Sequence, residues 1–388
     1  MKRKKIVRVG IVGVGNMGSG YVKRLSQGAI SRAELTALCD VNPARLEGHP
    51  DDVRKFTDSS KLIRSGAVDA VLIATPHYAH TTIGVDALQN GLHVLVEKPI
   101  SVHKADCERL IAASKGKRRV FAAMFNKRTD PVYKKIRAMV RGGDLGRLMR
   151  VNWIVTTWFR SEAYYASGGW RATWAGEGGG VLLNQCPHQL DLLQWICGMP
   201  NRVAGFCRFG QNHDIEVEDE VTAYLEYPNG ATGVFVTTTS EAPGTNRLEI
   251  VGENGKLVHE GDRLTFVRNE ISCLEFNKST QESFGRPPVW NVEIPIKGSG
   301  GEHREVLQNF IDAILDRVPL IAPGREGIHS VELGNAMLLS TWLGKPVDLP
   351  LNARVFENQM KKRIRTSRYK GESFDEDVEQ DMSKSFGA

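Results

Sequence analysis

Long hydrophobic runs are absent from this sequence, and its cysteines are few and scattered. A helix that crosses a bilayer needs about 20 consecutive apolar residues, so the sequence predicts no membrane partner. The six cysteines form neither a CxxC pair nor a zinc-ligand spacing, which argues against a disulfide scaffold and a structural zinc site. Thiols of this kind fit a reducing compartment, and we therefore expect a cytoplasmic protein.

A strong excess of one charge is also lacking, since the formal net charge is only +6. Much of this excess lies in two basic runs, residues 2–5 and 361–370, and no aromatic-interleaved basic motif of the kind found in nucleic-acid-binding segments accompanies them. We interpret both runs as solvated charge or as a contact between subunits, and we expect no nucleic-acid partner. The first run precedes a glycine-containing apolar stretch without a cleavage pattern, which predicts a strand rather than a secretory signal.

Two domains are expected, because 388 residues exceed what one hydrophobic core usually supports. Residues 6–125 alternate short apolar runs with segments of helical spacing, which is typical of βαβ units and predicts a doubly wound parallel sheet. We place this α/β domain at residues 1–128. Its predicted strands are residues 6–12, 34–39, 70–74, 93–96 and 120–124, and its clearest helices are residues 81–90 and 104–115.

The pattern changes after a helix predicted at residues 130–142, with Asp130 as its cap and Gly142 as its stop. Alternation of apolar and polar residues then predicts a largely antiparallel sheet with one covered face. Pro228-Asn229-Gly230 predicts a hairpin turn between two of its strands. The expected strands are residues 149–158, 203–209, 220–227, 231–239, 247–251 and 264–267, with helices at residues 187–197, 303–316 and 326–344 that pack on the sheet or bridge back to the first domain.

This second domain, residues 129–353, is thus expected to be α+β with an open, largely antiparallel sheet. Residues 354–388 are basic and then acidic, with few apolar side chains. We leave open whether this charged tail is disordered or is an arm that reaches onto a neighbouring subunit.

A glycine-rich turn follows the first predicted strand and opens a helix; it reads Gly13-Val-Gly15-Asn16-Met17-Gly18. In this pattern the first glycine permits a tight turn, the second lets the backbone approach a pyrophosphate, and the third allows close helix–strand packing. The pyrophosphate then lies at the N-terminus of the helix, where backbone N–H groups point outward. We therefore predict that Gly13, Gly15, Asn16, Met17 and Gly18 bind a dinucleotide.

Asp40 ends the second predicted strand, at the position expected for the acid that binds the adenosine ribose. Its carboxylate would accept hydrogen bonds from the ribose and repel a 2′-phosphate, which favours NAD over NADP. Asn42 and Arg45 lie close to Asp40 in the sequence and leave binding of NADP open. The alternative interpretation is that Asp40 only caps the turn at Asn42-Pro43.

Two further strand ends carry polar residues at the sheet edge where ligands of such folds bind. Thr75-Pro76 ends one strand, with His77 and His80 following, and Glu97-Lys98-Pro99 ends the next. Two histidines alone do not make a metal site, so we expect none and interpret the segment as a cofactor-side loop. A lysine fixed before a proline at this edge can hydrogen-bond a substrate hydroxyl and stabilise a developing oxyanion.

The run Gly178–Asp191 leads into a helix that begins at Pro187, and it carries Asn184, His188 and Asp191 at spacings of four and three residues. This spacing predicts that the three side chains share one face. His188 is the best candidate for a general base, because imidazole titrates near neutral pH. Asn184 would orient a neighbouring hydroxyl, and Asp191 would either orient His188 or form a local salt bridge.

In their order along the chain, these motifs resemble those of the Gfo/Idh/MocA oxidoreductases, the group of glucose–fructose oxidoreductase and inositol dehydrogenase. The resemblance covers about residues 6–345 and rests on the glycine-rich turn, Thr75-Pro76, Glu97-Lys98-Pro99, Trp170-Arg171 and Gly178–Asp191. It implies a Rossmann domain and an open α/β domain whose exposed sheet face forms homodimers or homotetramers. It also implies NAD(P)-dependent redox chemistry on a sugar, cyclitol or related polyol.

The resemblance further implies roles for single residues. Lys98 matches the active-site lysine of the family and His188 its catalytic histidine, whereas Asn184 stands where many members have an aspartate and cannot take a proton. Asn126 matches a segment near the nicotinamide, from which Arg128 would reach the substrate. We also assign Trp174 to the sugar pocket. The other cofactor-side residues are Thr75, Pro76, His80, Glu97, Trp170 and Arg171.

We interpret the chain first as an NAD-dependent dehydrogenase that oxidises a secondary hydroxyl of a sugar, glycoside or cyclitol. A second interpretation is an NAD-dependent glycosidase that oxidises C3 transiently and then eliminates the aglycone. A third is a non-catalytic regulator that senses nucleotide, against which the presence of Lys98 and His188 argues. Net accumulation of NADH distinguishes the first from the second, and a Lys98→Met variant without any loss of activity or phenotype would favour the third.

Overall fold

The computed structural model describes residues 5–116 and 118–369, which fold around two sheets. The six strands of the first sheet are β1 (Val7–Val12), β2 (Ala33–Cys39), β3 (Arg54–Phe56), β4 (Ala70–Ile73), β5 (His93–Val96) and β6 (Phe121–Ala123). All pair in parallel, in the order β3-β2-β1-β4-β5-β6. The strand order reverses between β1 and β4, and in such folds this switch point opens a crevice for ligands at the carboxyl ends of the strands.

The helices of this first domain are α1 (Asn16–Ser26), α2 (Ser59–Arg64), α3 (His77–Gln89) and α4 (Lys104–Ser114). The predicted doubly wound sheet is confirmed. The sequence did not predict β3, because three residues are too short for a recognisable pattern. Helix α3 begins at His77 rather than at residue 81, directly after Pro76.

The second sheet has nine strands, and only the β7–β10 pair is parallel. Its strands are β7 (Leu148–Val155), β8 (Arg202–Phe209), β9 (Glu218–Glu226), β10 (Thr232–Thr238), β11 (Asn246–Gly252), β12 (Gly255–Glu260), β13 (Arg263–Asn269), β14 (Val289–Glu293) and β15 (Val347–Asp348). They lie in the order β14-β13-β12-β11-β7-β10-β9-β8-β15. The predicted antiparallel α+β domain and the hairpin turn between β9 and β10 are confirmed.

Two differences concern strands of this sheet. The sequence did not predict β12 or β14, and all five residues of the edge strand β14 are exposed, so this strand lacks the alternation that half-burial produces. Strand β7 ends at Val155, three residues before the predicted end at Trp158. For these three strands the pattern of apolar residues did not indicate where the hydrogen-bonded pairing with the neighbouring strand begins or ends.

The remaining helices are α5 (Pro131–Gly142), α6 (Glu162–Ala166), α7 (Pro187–Cys197), α8 (Cys273–Ser279), α9 (Glu302–Asp316), α10 (Gly327–Leu343) and α11 (Ala353–Ile364). Asp130 caps α5 by accepting a hydrogen bond from the N–H of Val132 at 3.0 Å. The helix ends at Gly142, as predicted, and the next residue, Gly143, is its C-cap with a φ of 85° in the left-handed region.

Helix α9 returns to the first domain, where Leu307, Phe310 and Ile311 are fully buried in the same core as Val9 and Ile11 of β1. Most buried residues of α10 instead join the core under the second sheet. These helices therefore bridge the two domains, as the sequence predicted for this part of the chain.

The expected tail does not begin at Arg354. Helix α11 packs Phe356 and Met360 into the core of the second domain, and the Arg363 guanidinium lies 3.7 Å from the centre of the Trp342 ring. The second domain thus continues to residue 369, while residues 370–388 lie outside the described residues. Within the described part of the chain, no helix is long and apolar enough to cross a membrane.

Candidate active site at the edge of the parallel sheet

The glycine-rich turn lies between β1 and α1. Gly13 has a φ of 91°, and a Cβ there would come 2.6 Å from the carbonyl oxygen of Ala74, while a Cβ on Gly18 would overlap the carbonyl of Gly13. Helix α1 begins at Asn16 with Gly15 as its N-cap, so no side chain caps its first N–H groups. The turn thus leaves an open helix N-terminus, to which a pyrophosphate fits.

Asp40 lies beside this turn and is buried. One carboxylate oxygen accepts the N–H of Val14 at 2.7 Å and the other accepts the N–H of Asn42 at 2.9 Å. The Arg45 guanidinium is 3.6 Å from the carboxylate. Asp40 therefore caps the turn at Asn42, as the alternative interpretation stated, and it also fixes the glycine-rich turn; each oxygen keeps a lone pair for a further donor.

At the end of β4, the Thr75 hydroxyl is buried and has no hydrogen-bond partner within the described residues. His80 is 1% exposed, and its two ring nitrogens contact the carbonyl oxygens of Pro99 at 2.8 Å and Thr75 at 2.7 Å. The ring thus connects the loop after β4 with the loop after β5. This placement gives His80 a bracing role instead of the expected direct contact with a cofactor.

At the end of β5, the buried Glu97 accepts a hydrogen bond from the Tyr21 hydroxyl of α1 and another from the N–H of Lys98 at 3.0 Å. Burial raises the pKa of Glu97, and burial lowers that of Lys98. The Lys98 ammonium donates to the backbone carbonyl of Asn184 at 2.9 Å and so crosses from the first domain to the second. An ammonium has three donors, so this bond leaves capacity for a ligand.

His188, on the first turn of α7, is buried, and its Nδ1 has no hydrogen-bond partner within residues 5–116 and 118–369. Its ring meets the Phe125 ring edge-on at 6.1 Å. Burial lowers the pKa of His188 well below its ordinary value, and the nearby Lys98 and His303 lower it further. The imidazole is therefore neutral at physiological pH, which is the state in which it can accept a proton.

Two residues of this site were missed in the sequence. Glu177, just before the glycine triplet, has its carboxylate against the Asn184 amide, and its place beside that triplet was the available signal. His303, on the first turn of α9, lies with its Nδ1 3.3 Å from Asn126 Nδ2. Nothing in the sequence around His303 indicated this, because α9 reaches the site only through the packing of the two domains.

The Trp170-Arg171 pair lies at the rim on the second domain. The Trp170 ring meets the His77 ring at 6.1 Å, and His77 Nδ1 is 3.2 Å from the carbonyl of Glu177. Arg171 stacks on Trp170 and donates to the Tyr164 hydroxyl at 3.0 Å. The pair therefore stands opposite the β4 end of the parallel sheet, next to the loop where the sequence placed the cofactor.

Two expected substrate contacts are placed elsewhere. Arg128 is 1% exposed and forms two hydrogen bonds to Asp191, at 2.7 and 2.6 Å, with a third to Glu326 at 2.5 Å. The Arg128 guanidinium is therefore held by these two acids and is not directed at a substrate. Asp191 forms the salt bridge that was one of its two predicted roles. Trp174 is also buried, with its ring against Phe209 and Trp342, so it belongs to the core of the second domain.

The crevice thus combines an open helix N-terminus, unpartnered buried oxygens on Thr75 and Asn126, a lysine ammonium and a neutral histidine. The first two features fit the phosphates and polar groups of a dinucleotide, and the last two provide a proton donor and a proton acceptor. No group of three His, Cys, Asp or Glu side chains able to hold a metal ion occurs within the part of the chain that the structure describes.

Two family profiles match the chain. Residues 7–125 match an oxidoreductase family with an NAD-binding Rossmann fold, and residues 133–258 match a GFO/IDH/MocA C-terminal domain. Together they cover the first domain and the N-terminal part of the second, and the boundary between them falls at the start of α5.

Curated relatives include inositol dehydrogenases. The chain is 26% identical to the myo-inositol 2-dehydrogenase of Thermotoga maritima over 274 residues, 67% of this chain and 77% of that enzyme. It is 31% identical to the inositol 2-dehydrogenase of Salmonella typhimurium over 151 residues, 38% of this chain and 45% of that enzyme.

Solved structures agree over most of the chain. The WlbA dehydrogenase of Chromobacterium violaceum, crystallised with NADH and UDP-GlcNAcA, is 27% identical with a TM-score of 0.77, over 91% of this chain and 98% of that one. A levoglucosan dehydrogenase with NADH has a TM-score of 0.72 at 20% identity, over 89% of this chain and 100% of that one, and shares the fold.

Proposed function

Because the chain belongs to the Gfo/Idh/MocA family of NAD-binding oxidoreductases, we propose that it oxidises a secondary hydroxyl group of a sugar, glycoside or cyclitol. The observation that carries the proposal is that Lys98, at the end of β5, bonds the Asn184 carbonyl and lies close enough to the buried His188 of α7 to lower its pKa. This is the acid–base pair that removal of a hydroxyl proton requires. When bound, NAD would supply the acceptor for the hydride that leaves the carbinol carbon.

NAD would be held by the first domain. The helix N-terminus at Gly15 and Asn16 would bind the pyrophosphate, and Asp40 the adenosine ribose. The Thr75 hydroxyl and the Asn126 amide oxygen, both buried without a partner among the described residues, would bind the part of the cofactor nearest Lys98.

In this proposal His188 takes the hydroxyl proton. A neutral imidazole is free to accept a proton, while the cationic Lys98 near it disfavours a lasting imidazolium form. The proton taken up by His188 must therefore leave to solvent within each turnover. Replacement by asparagine keeps a polar group in the pocket but removes the base.

Lys98 is proposed to stabilise the alkoxide that forms as the proton leaves. One of its three N–H donors is used by the Asn184 carbonyl, which aims the ammonium into the crevice. A cation fixed in a site of low dielectric lowers the energy of a developing negative charge without reorganisation. The same cation also lowers the pKa of the hydroxyl, so Lys98 and His188 act on the same bond.

The substrate class follows from the relatives and from the place of the crevice between two domains. Inositol dehydrogenases and a dehydrogenase solved with UDP-GlcNAcA are among the relatives, and we propose a cyclic polyol or sugar with a free secondary hydroxyl. The test is NADH absorbance with inositols, aldoses, glycosides and UDP-sugars, using NAD and NADP in parallel. Net NADH with one compound supports a dehydrogenase, whereas release of an aglycone without NADH supports the glycosidase.

The variants His188→Asn and Lys98→Met test the assigned roles. Each is expected to lower kcat about a hundredfold or more while the affinity for NADH, measured by its fluorescence, changes little. Lys61→Gln, at an exposed position of α2 in the first domain, serves as a surface control. Equal loss of NADH binding and turnover would instead indicate that the pocket had collapsed.

We also propose that the outer face of the second sheet joins copies of the chain. Ile154, Phe206 and Tyr224 are 38%, 66% and 41% exposed on strands of that sheet, and apolar surface of this kind marks interfaces. Light scattering should show an oligomer that Phe206→Asp dissociates. A monomeric wild-type protein would contradict this assignment.

A further inference from the structure

The buried carboxylate of Glu177 lies against the side-chain amide of Asn184. Glu177 is 3% exposed, and its Oε1 accepts a hydrogen bond from Asn184 Nδ2 while its Oε2 accepts the N–H of Ala172 at 2.7 Å. An ionised carboxylate only accepts hydrogen bonds. The NH2 group of Asn184 must therefore face Glu177, and its Oδ1 must point away from it.

The chain around Glu177 is shaped to hold this carboxylate. The N–H groups of Glu177 and Gly178 both donate to the carbonyl of Thr173, at 2.9 and 3.0 Å. Ala172 adopts a φ of 52°, unusual for a residue with a side chain, and its N–H is the one that Glu177 accepts. The loop thus keeps a strained backbone position at the residue that orients this acidic side chain.

Two cations, Arg171 and Lys98, and the buried acid Glu218 lie near Glu177. Burial is the largest influence on the pKa of Glu177 and raises it, while the neighbouring Arg171 and Lys98 favour the charged carboxylate. The His77 ring contacts the backbone carbonyl of Glu177. The same Lys98 ammonium is bonded to the Asn184 carbonyl, so the acid, the amide and the lysine form one chain of contacts.

We propose that Glu177 is a positioning residue of the active site, which holds the Asn184 amide so that Oδ1 is the acceptor presented to the substrate and which balances the charge of Lys98. This inference rests on the proposed function. Because Asn184 Oδ1 is turned away from Glu177, the donor that it would receive is a substrate hydroxyl next to the reacting one.

The substitution Glu177→Gln inverts this arrangement. The Gln oxygen still accepts the N–H of Ala172, so its NH2 group faces Asn184 and forces the Asn184 amide to turn. The site then presents NH2 where it presented an oxygen. We expect kcat to fall about tenfold to a hundredfold, the effect of one hydrogen bond to a polar group in a buried site, while NADH affinity is unchanged.

The double variant Glu177→Gln/Asn184→Asp exchanges the acid and the amide between the two positions. It thereby restores the hydrogen bond between positions 177 and 184 and keeps the one to Ala172. One oxygen of the aspartate introduced at position 184 accepts a hydrogen bond from the new amide at position 177, and its second oxygen again faces the substrate. We expect kcat of the double variant within about threefold of wild type, since the pairing is kept. Asn184→Asp alone brings two carboxylates together, so its kcat should acquire a new ionisation and fall as pH rises.

Glu216→Gln is the matched control. Glu216 anchors the same loop by accepting the N–H of Trp174 at 2.6 Å, and its carboxylate otherwise bonds Ser367 and Arg368. The proposal is overturned if Glu177→Gln retains wild-type kcat, or if the double variant is no better than Glu177→Gln. If Glu177→Gln does not fold, the double variant decides: wild-type-like turnover supports the proposal and an inactive, folded protein overturns it.

Thermal unfolding of wild type, both single variants and the double variant gives a readout that needs no substrate. A non-additive recovery of Tm in the double variant supports the pairing, and additive losses overturn it. If the wild type oxidises no compound of the panel but this recovery is seen, the proposed function fails while the pairing of residues 177 and 184 stands.

Discussion

Glu218 offers a quantitative test of how the glycine triplet is held. The side chain lies at the start of β9 and is fully buried, and its Oε1 accepts the N–H groups of Gly180 at 2.9 Å and Leu182 at 3.1 Å. Its Oε2 has no hydrogen-bond partner within the described residues. Burial, as the largest cause, raises the pKa of Glu218 from 4.5 to about 7. Between about pH 4.5 and about pH 7 the folded protein therefore keeps Glu218 protonated, whereas the unfolded chain has already lost this proton.

The consequence for stability follows from proton linkage. The folded state binds the proton more tightly, so the contribution of Glu218 is fully present below about pH 4.5 and is lost as the pH rises through about 7. A shift of this size corresponds to about 3 kcal/mol. Glu218→Gln keeps the oxygen that accepts both N–H groups but cannot ionise. Its free energy of unfolding relative to wild type should therefore increase by about 3 kcal/mol between about pH 4.5 and about pH 8.

Urea unfolding of both proteins across this pH range measures the difference, because the other titrating groups are common to both. The matched control is Glu226→Gln, on the exposed end of the same strand, which shows what loss of one exposed carboxylate does by itself. A Glu218→Gln variant with the same pH dependence as wild type, or one less stable than wild type at about pH 8, would refute the assigned protonation.

Three further predictions concern the cofactor turn and the interdomain ion pair. Gly18→Ala should weaken NADH binding at least about tenfold in a fluorescence titration, since its Cβ would overlap the carbonyl of Gly13; unchanged affinity would contradict the role of this turn. Asp40→Ser should shift the ratio of NADP to NAD affinity by about tenfold or more towards NADP, because it removes a carboxylate 3.6 Å from Arg45; a constant ratio would count against Asp40 as the ribose ligand. Arg128→Met should cost about 3–5 kcal/mol in urea unfolding by leaving Asp191 buried without its partner, and Arg128→Met/Asp191→Leu should recover most of it; full stability of the single variant would argue against the pair.

Much of the fold was predictable because local patterns and tertiary structure agree. The buried strands before Gly13 and Thr75 are largely apolar runs, and helix α5 carries both its cap at Asp130 and its proline start. The bounds of α7 were predicted at Pro187 and Cys197, where the helix begins and ends. What failed were elements without such a pattern, above all the exposed edge strand β14.

For several residues of the site, the sequence motif did not determine which partner the side chain contacts. Lys98 and Asn184 were found from their motifs, but the hydrogen bond between them depends on how the domains pack. Arg128 was expected at the substrate because its motif lies beside Asn126, whereas the structure pairs it with an acid of α7. A polar residue near a motif can serve packing or chemistry, and only its partners decide which.

The same limit applies to the charged tail. Its composition predicted disorder or an arm, yet two apolar residues four apart, Phe356 and Met360, suffice to seat helix α11 on the second domain. Most charges of this helix lie away from that buried face, so the average composition hid a short amphipathic segment.

In the proposed function, a carbinol hydrogen of a sugar or cyclitol passes to NAD while His188 takes the hydroxyl proton. The most direct measurement uses the best substrate of the panel, deuterated at the carbon that is oxidised, with mass spectrometry of the NADH produced. We expect the wild type to form NADH that carries the deuterium, and we expect His188→Asn to form much less of it. NADH without deuterium, or cleavage of a glycoside with no NADH at all, would contradict it.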